Sequence, residues 1–410
     1  MSDTAPEVVV RAIAAGGDGV ASLPDGRTVF IPRAAPGDVV TLDRVRLHAR
    51  FARAEIETIV TASTDRVDPP CPHYQRDRCG GCQLMHLDAG AQRGAKARIA
   101  GDAMRRLARI DMADPVVTAA PQQFHYRAKV TMAVQGGRMG FHPLGEAERV
   151  FDVQECWIAE PALGVLHRAV RAAMRLLPGD TSRVVFRRDR GGALHLMVRT
   201  TGSAAWTTSE ALAGAIAGAG VTATLWWHPE GGVPRAMAGA ADPWPATVFE
   251  QVHPAMGDLV RQAAVAAAGD VNGKQAWDLY AGIGETTAAL ATAGAVVESV
   301  ELDRRAVELA TRIGPAGPVR HAGAVEAMIG RLQPAAVVVT NPPRTGMDSS
   351  VTTALAASAA ERIVYVSCDP ATLARDIARL NSRFRLASLA VFDQFPQTSH
   401  LESLAVLERQ

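Results

Sequence analysis

The chain has 410 residues, enough for two or three domains, and 48% are hydrophobic, so each domain can bury a core of its own. A formal net charge of +1 excludes a uniformly basic nucleic-acid coat, so a polyanionic partner must be held by local basic surface. No apolar run is long enough to span a bilayer, and residues 1–6 do not open a secretory signal, so a cytoplasmic protein without a membrane role is expected. Five cysteines in a reducing compartment argue for metal binding or catalysis over disulfides.

Residues 7–62 read as short apolar strands separated by glycine turns at Gly16-Gly17-Asp18-Gly19, Pro24-Asp25-Gly26 and Gly37-Asp38. That spacing predicts a five-stranded barrel of oligonucleotide-binding type over 1–66. Arg44, Arg46, His48 and Arg50 alternate, which in an extended chain puts them on one face and, with Arg53, gives the barrel a basic edge. Asp68-Pro69-Pro70 reads as a linker. Cys71, Cys79 and Cys82 follow within twelve residues, and Cys156 stands further on. Four thiolates suit either an iron–sulfur cluster or zinc, and Gly80-Gly81 lets the backbone bend tightly around such a centre. Residues 91–110 read as a basic helix. Over 92–130, Arg93, Lys96, Arg98, Arg105, Arg106, Arg109, Arg127 and Lys129 face only Asp102, Asp111 and Asp114. This is either a polyanion-binding surface or a solvated helix face. Strands at 129–134, 150–153, 184–186, 194–198 and 222–227, with a helix at 211–217, predict an α+β middle domain over 67–245.

From 246 to 410, strand and helix alternate as in a Rossmann-like α/β domain. The strand 275–280 runs into a glycine loop at 281–285, then a helix, then a strand ending on Glu301. A glycine loop admits a cofactor close to the backbone, and an acid ending the next strand can accept from both ribose hydroxyls. The third glycine of the dinucleotide fingerprint is absent, which points to S-adenosylmethionine. Further strands end at Asn341-Pro342-Pro343-Arg344 and at Cys368, so the loop, Glu301, Asn341 and Cys368 should gather at one rim. A strand-end cysteine taken alone reads either as a small buried hydrophobe or as a nucleophile.

Together these residues resemble the RNA uracil-5-methyltransferase family. The resemblance covers nearly the whole chain and rests on Cys79-Gly80-Gly81-Cys82-Gln83-Leu84-Met85-His86, Phe249-Glu250-Gln251, Asn341-Pro342-Pro343-Arg344, the segment 367–376 and the segment 395–402. It implies a TRAM domain over 1–66 and a middle domain over 67–245 that carries an RNA-contacting surface and a 4Fe–4S site on Cys71, Cys79, Cys82 and Cys156, with zinc as the other occupant. It implies a class I methyltransferase domain over 246–410. Cys368 is then the nucleophile that adds to carbon 6 of uracil. Glu402 removes the carbon 5 proton after methyl transfer. Tyr280, Gly282 and Glu301 fall where the family holds S-adenosylmethionine, Gln251 and Asn341 would make polar contacts to the cofactor or to uracil, and Phe249 would wall the site. The chain departs from the family where Asn341 replaces the usual Asp, Ala281 the usual Cys and His253 the usual Asn, and where no acid follows Gly323. The implied partner is looped RNA: ribosomal RNA of the 23S type, with the tRNA T-loop as alternative. A monomer is expected. Competing expectations are a non-catalytic RNA-binding or chaperone protein on the same fold, and an iron–sulfur oxidoreductase.

Overall fold

The computed structural model describes residues 7–239 and 248–410. Residues 1–6 and the expected domain boundary at 245/246 lie outside the described residues. Contacts divide the chain into two units: 1–68 with 83–121 and 255–410, and 69–82 with 122–254. This grouping differs from the expected division at 66/67 and 245/246. Residues 83–121 pack with the C-terminal sheet, and residues 249–254 pack with the middle one.

The first unit holds two sheets. The smaller has the strand order Glu7–Val9, Val39–Leu47, Phe51–Thr61, Thr28–Ile31, Gly19–Ser22, Ala12–Ile13. Its two outer strands are separated only by Val10 and Arg11, whose amides donate to Asp38 O and Val20 O at 2.9 and 2.8 Å. The two sheet edges therefore meet on one stretch of chain, around a core of Val8, Val10, Val29, Ile31, Val40 and Leu42. The expected even row of basic residues is interrupted by a register shift between Asp43 and Arg46, with Arg44 at φ +50°. Arg44 faces Asp43 and Glu55, and Arg53 faces Asp18. The basic edge is thus partly neutralised.

The larger sheet has the order Val319–Ala322, Val296–Glu301, Gln275–Leu279, Val337–Thr340, Arg362–Ser367, Glu402–Arg409, Phe384–Phe392, Val117–Thr118. The first five strands are parallel, and Glu402–Arg409 enters antiparallel. Strands covered on both faces need apolar residues at every position. Val337–Thr340 is accordingly buried throughout. One face packs on Leu279, Val338, Leu355, Ile363 and Leu373, the other on Met256, Val260, Val297, Val339 and Val364.

The helix Ala89–Ala103 starts at Asp88, whose carboxylate accepts from Gly90 N and Ala91 N, and continues as one wide π turn, Met104–Ala108. The expected basic surface keeps Arg98, Arg106 and Arg109 exposed but loses two members. Lys96 is fully buried against Asp393, and Arg105 is paired with Asp102 and Asp114.

The second unit is a seven-stranded sheet ordered Phe151–Asp152, Arg138–Phe141, Lys129–Gln135, Thr181–Arg188, Leu194–Thr200, Ala223–His228, Arg235–Ala238. The helices Pro161–Ala172 and Ser209–Gly218 share a core with one of its faces, through Leu163, Leu166, Leu212, Ile216, Val130, Phe186 and Leu196. No helix among the described residues is long and apolar enough to cross a membrane.

Candidate active site

In the large sheet the strand Gln275–Leu279 leads to the neighbour on one side, Val296–Glu301, and Val337–Thr340 leads to the neighbour on the other, Arg362–Ser367. The order reverses between these two adjacent strands, and the crevice outside such a reversal is where open α/β sheets bind ligands. Tyr280, Gly282, Glu301, Asn341 and Cys368 all stand at that rim, at or just past their strand ends. The loop is tightly wound: Tyr280, Gly282 and Gly284 have φ of +61°, +56° and +77°. A tyrosine held left-handed stores strain of the kind found at ligand sites. Glu301 accepts from Gly282 N and Asp303 N, both at 2.8 Å, one on each carboxylate oxygen. Each oxygen keeps a second lone pair for a ribose hydroxyl. Beneath the loop, burial lifts Asp278 to about 7, and the Thr287 hydroxyl donates to it at 2.5 Å.

Cys368 lies between the strand Arg362–Ser367 and the helix Pro370–Leu380. Asp369 caps that helix, accepting from Ala371 N and Thr372 N. The antiparallel ladder pairs Ser367 with Ser403, so one step further along the register brings Glu402 opposite Cys368. Burial pushes the half-buried Cys368 thiol up, the Glu402 carboxylate adds to the rise, and the Arg344 guanidinium opposes it. Glu402 is 2% exposed. Burial raises it to about 8 against the pull of Arg344. The nucleophile candidate therefore senses the base candidate and one cation, and the base candidate senses the same cation. The turn bearing Arg344 is fixed by buried Asp376, which accepts from Tyr365 Oη and Met347 N at 2.8 Å and from Arg375 Nε at 2.9 Å.

The segment leading into Glu402 is held from the helix Ala89–Ala103. Lys96 Nζ donates to Asp393 Oδ1 at 2.5 Å and to Phe395 O at 2.9 Å. Gln92 Nε2 donates to Gln397 Oε1 at 3.0 Å, and Gln397 N donates back to Gln92 Oε1 at 2.8 Å. Leu84 N donates to Gln397 O at 3.0 Å. Gly17, at φ +91°, has no room for a Cβ, which would lie 2.5 Å from Gln83 Cβ and 3.2 Å from Ser399 Cβ. Sequence reasoning gave Gln92 and Asp393 no role, read Lys96 only as part of a basic surface, and met Asp376 only as a member of the segment 367–376. Asp376 and Asp393 carry a local signal, a charge at a buried position among apolar neighbours, whereas Gln92 and Lys96 sit in a helix with no apolar stripe.

In the second unit, Gln251 lines a small pocket with Lys129, Arg187, Arg188, Arg190 and Glu250, whereas Phe249 is 66% exposed. The structure does not gather these two with Cys368 in one unit. The thiols of Cys71, Cys79, Cys82 and Cys156 all lie in this unit. Burial pushes Cys82 well up, and Cys156, Cys79 and Cys71 each add to the rise. The amides of His73, Tyr74 and Trp157 point at the Cys71 sulfur, and those of Ile158 and Ala159 at the Cys156 sulfur. Gly81 N donates to Cys79 Sγ at 3.4 Å. Among the described residues, no group of three or more His, Cys, Asp or Glu is placed so that it could hold a metal ion as it stands. An all-thiol donor set ringed by amide donors nevertheless fits a soft centre.

Residues 329–410 match the family described as tRNA (Uracil-5-)-methyltransferase. A 23S rRNA (uracil(1939)-C(5))-methyltransferase RlmD from Azoarcus sp. is 32% identical over 447 residues, covering 98% of this chain and 100% of that protein. The enzyme of that name from Chromohalobacter salexigens is 31% identical, covering 99% and 90%. An uncharacterized RNA methyltransferase from Gloeobacter violaceus is 32% identical, covering 98% and 96%. The fold is shared with the crystal structure of Pyrococcus abyssi tRNA (uracil-54, C5)-methyltransferase in complex with S-adenosyl-L-homocysteine, at TM-score 0.74 and 21% identity over 98% of this chain and 99% of that one. Identity at the level of the bacterial relatives, sustained over almost the whole of each protein, makes this chain a member of the RNA uracil-5-methyltransferase family.

Proposed function

We propose that the protein methylates carbon 5 of a uridine in 23S ribosomal RNA. The RNA class rests on the relatives named for 23S rRNA, at 31–32% identity over nearly full length. The reading of the site rests on one observation: the ladder register brings Glu402 opposite Cys368 at the rim, and Arg344 is close enough to act on both.

Carbon 5 of uracil is a poor nucleophile until the ring is activated. The Cys368 thiolate forms a bond to carbon 6, and the electrons of the carbon 5–carbon 6 double bond move onto the ring as an enolate. S-adenosylmethionine supplies an electrophilic methyl group, with Tyr280, Gly282, Glu301 and Asn341 as the residues to hold it. Glu402 as carboxylate then takes the carbon 5 proton, the double bond reforms, and the bond between carbon 6 and sulfur breaks. Arg344 stabilises the thiolate before attack. Asn341 offers an amide where an acid is usual, so it can both donate to and accept from the uracil edge.

The four cysteines are assigned to a 4Fe–4S cluster, with zinc as the other occupant, and the sheet of residues 7–61 to a TRAM-type RNA-binding barrel. The test uses labelled S-adenosylmethionine and an unmodified 23S rRNA transcript, followed by mapping of 5-methyluridine. Cys368→Ala should abolish incorporation, and Glu402→Gln should leave an RNA adduct that survives denaturation. Full incorporation by Cys368→Ala would refute the assignment.

A further inference from the structure

In the second unit, one face of the sheet is covered by the helices Pro161–Ala172 and Ser209–Gly218, and the other face carries a different population of side chains. Four neighbouring strands, Arg138–Phe141, Lys129–Gln135, Thr181–Arg188 and Leu194–Thr200, contain no Asp or Glu. Their register sets Arg183 opposite Arg199 and Lys129 opposite Arg187. Like charges placed directly across a ladder are destabilising, so two such pairs on one face need a reason. Arg187 is answered by Glu250. Lys129, Arg183 and Arg199 have no carboxylate partner among the described residues. Arg187, Arg199 and Arg127 surround Lys129, and their charge, after burial, helps pull its ammonium down to about 8. Arg183, Arg199, Arg138, Thr131 and Gln135 are exposed. The apolar residues on this face, Val185, Met197 and Trp226, are buried together, so it presents neither an apolar patch nor an exposed ring for a base to stack on.

We propose that this face, with Arg183 and Arg199 at its centre, holds the sugar–phosphate backbone of the RNA substrate. Each phosphate supplies the counter-charge that the strands lack, and the exposed Thr131 and Gln135 add neutral hydrogen bonds to phosphate oxygens. Contacts of this kind position a nucleic acid without reading its sequence. A protein partner is disfavoured because no apolar surface is offered here. The inference rests on the reading of the protein as an RNA-modifying enzyme and adds where the strand is gripped.

The test is equilibrium binding of the full chain to an unmodified 23S rRNA transcript, and to an unrelated RNA of equal length, across about 50 to 300 mM KCl. The Arg183→Ala/Arg199→Ala protein should show a log K against log salt slope shallower by about 1.4, from about 0.7 per neutralised phosphate of a single strand. The loss should be equal on both RNAs. Arg183→Lys/Arg199→Lys should keep the slope, because the charges remain. An unchanged slope in the alanine protein would overturn the proposal, as would a loss confined to the 23S transcript or an equal loss in the lysine protein. A wild-type protein that binds RNA but transfers no methyl group would refute the proposed function while leaving this slope comparison intact.

Discussion

At Cys368 and Glu402, a thiol and a carboxyl are both desolvated, and the Glu402 carboxylate makes it harder for the Cys368 thiol to lose its proton. Both must be charged at some stage of the proposed reaction. The free-enzyme kcat/KM should therefore climb from pH 6 to pH 8, approaching tenfold per unit, because Glu402 ionises at about 8 and the thiol lies above its ordinary value. A flat profile of initial methylation rate over that window would contradict the assignment. The same shift sets a stability trend. A carboxyl whose folded pKa is raised stabilises the fold fully below its unfolded pKa, near 4.5, and loses that contribution as pH rises through about 8. Glu402→Gln does not titrate, so its melting temperature should gain on wild type between pH 5 and pH 9. Arg344 opposes both shifts. Arg344→Met should displace the kcat/KM profile to higher pH and slow methylation at pH 7 by roughly tenfold, as expected for about one pKa unit, with Arg344→Lys recovering part of the rate. A profile left in place would remove Arg344 from the site.

The helix Ala89–Ala103 shows what sequence periodicity can and cannot deliver. The parallel strands were legible because strands buried on both faces are continuous apolar runs. The glycine loop, Glu301, Asn341 and Cys368 were legible because topology sends strand ends to one rim. This helix has no apolar stripe. Its buried residues are Gln92, Lys96, Ile99, Ala100 and Gly101, and its polar members face the segment before Glu402. A lysine in an Ala-, Gly- and Arg-rich helix reads as surface until the distant acid that answers it is known. The same distance explains why sequence alone places residues 83–121 in the middle domain. Breaking a buried pair by removing one partner costs about 3–5 kcal/mol. Lys96→Met should lose stability in urea unfolding on that order, and Lys96→Met/Asp393→Leu should regain most of it. If Lys96 also sets the position of Glu402, the single variant should accumulate the covalent RNA adduct. Turnover without adduct would limit the pair to a structural role.

At the scale of the molecule, the four cysteines assigned to the proposed cluster belong to one unit and Cys368, the proposed nucleophile, to the other. Protein prepared without oxygen should contain iron and acid-labile sulfide, and Cys156→Ser should lose both and melt at lower temperature. Zinc without sulfide in the wild-type protein would reassign the centre. The chain also passes between the units at 68/69, 82/83, 121/122 and 254/255, so neither unit is one continuous stretch. The contacts that hold the approach to Glu402 join residues 297 and 305 positions apart. Closing loops of that length makes them late events in folding. Strand Glu402–Arg409 lies between Arg362–Ser367 and Phe384–Phe392 in the sheet but follows both in the chain. Until that strand inserts, both neighbours keep a bare edge. A chain cut just before residue 402 would display two unpaired strands, an adhesive surface that a chaperone must cover.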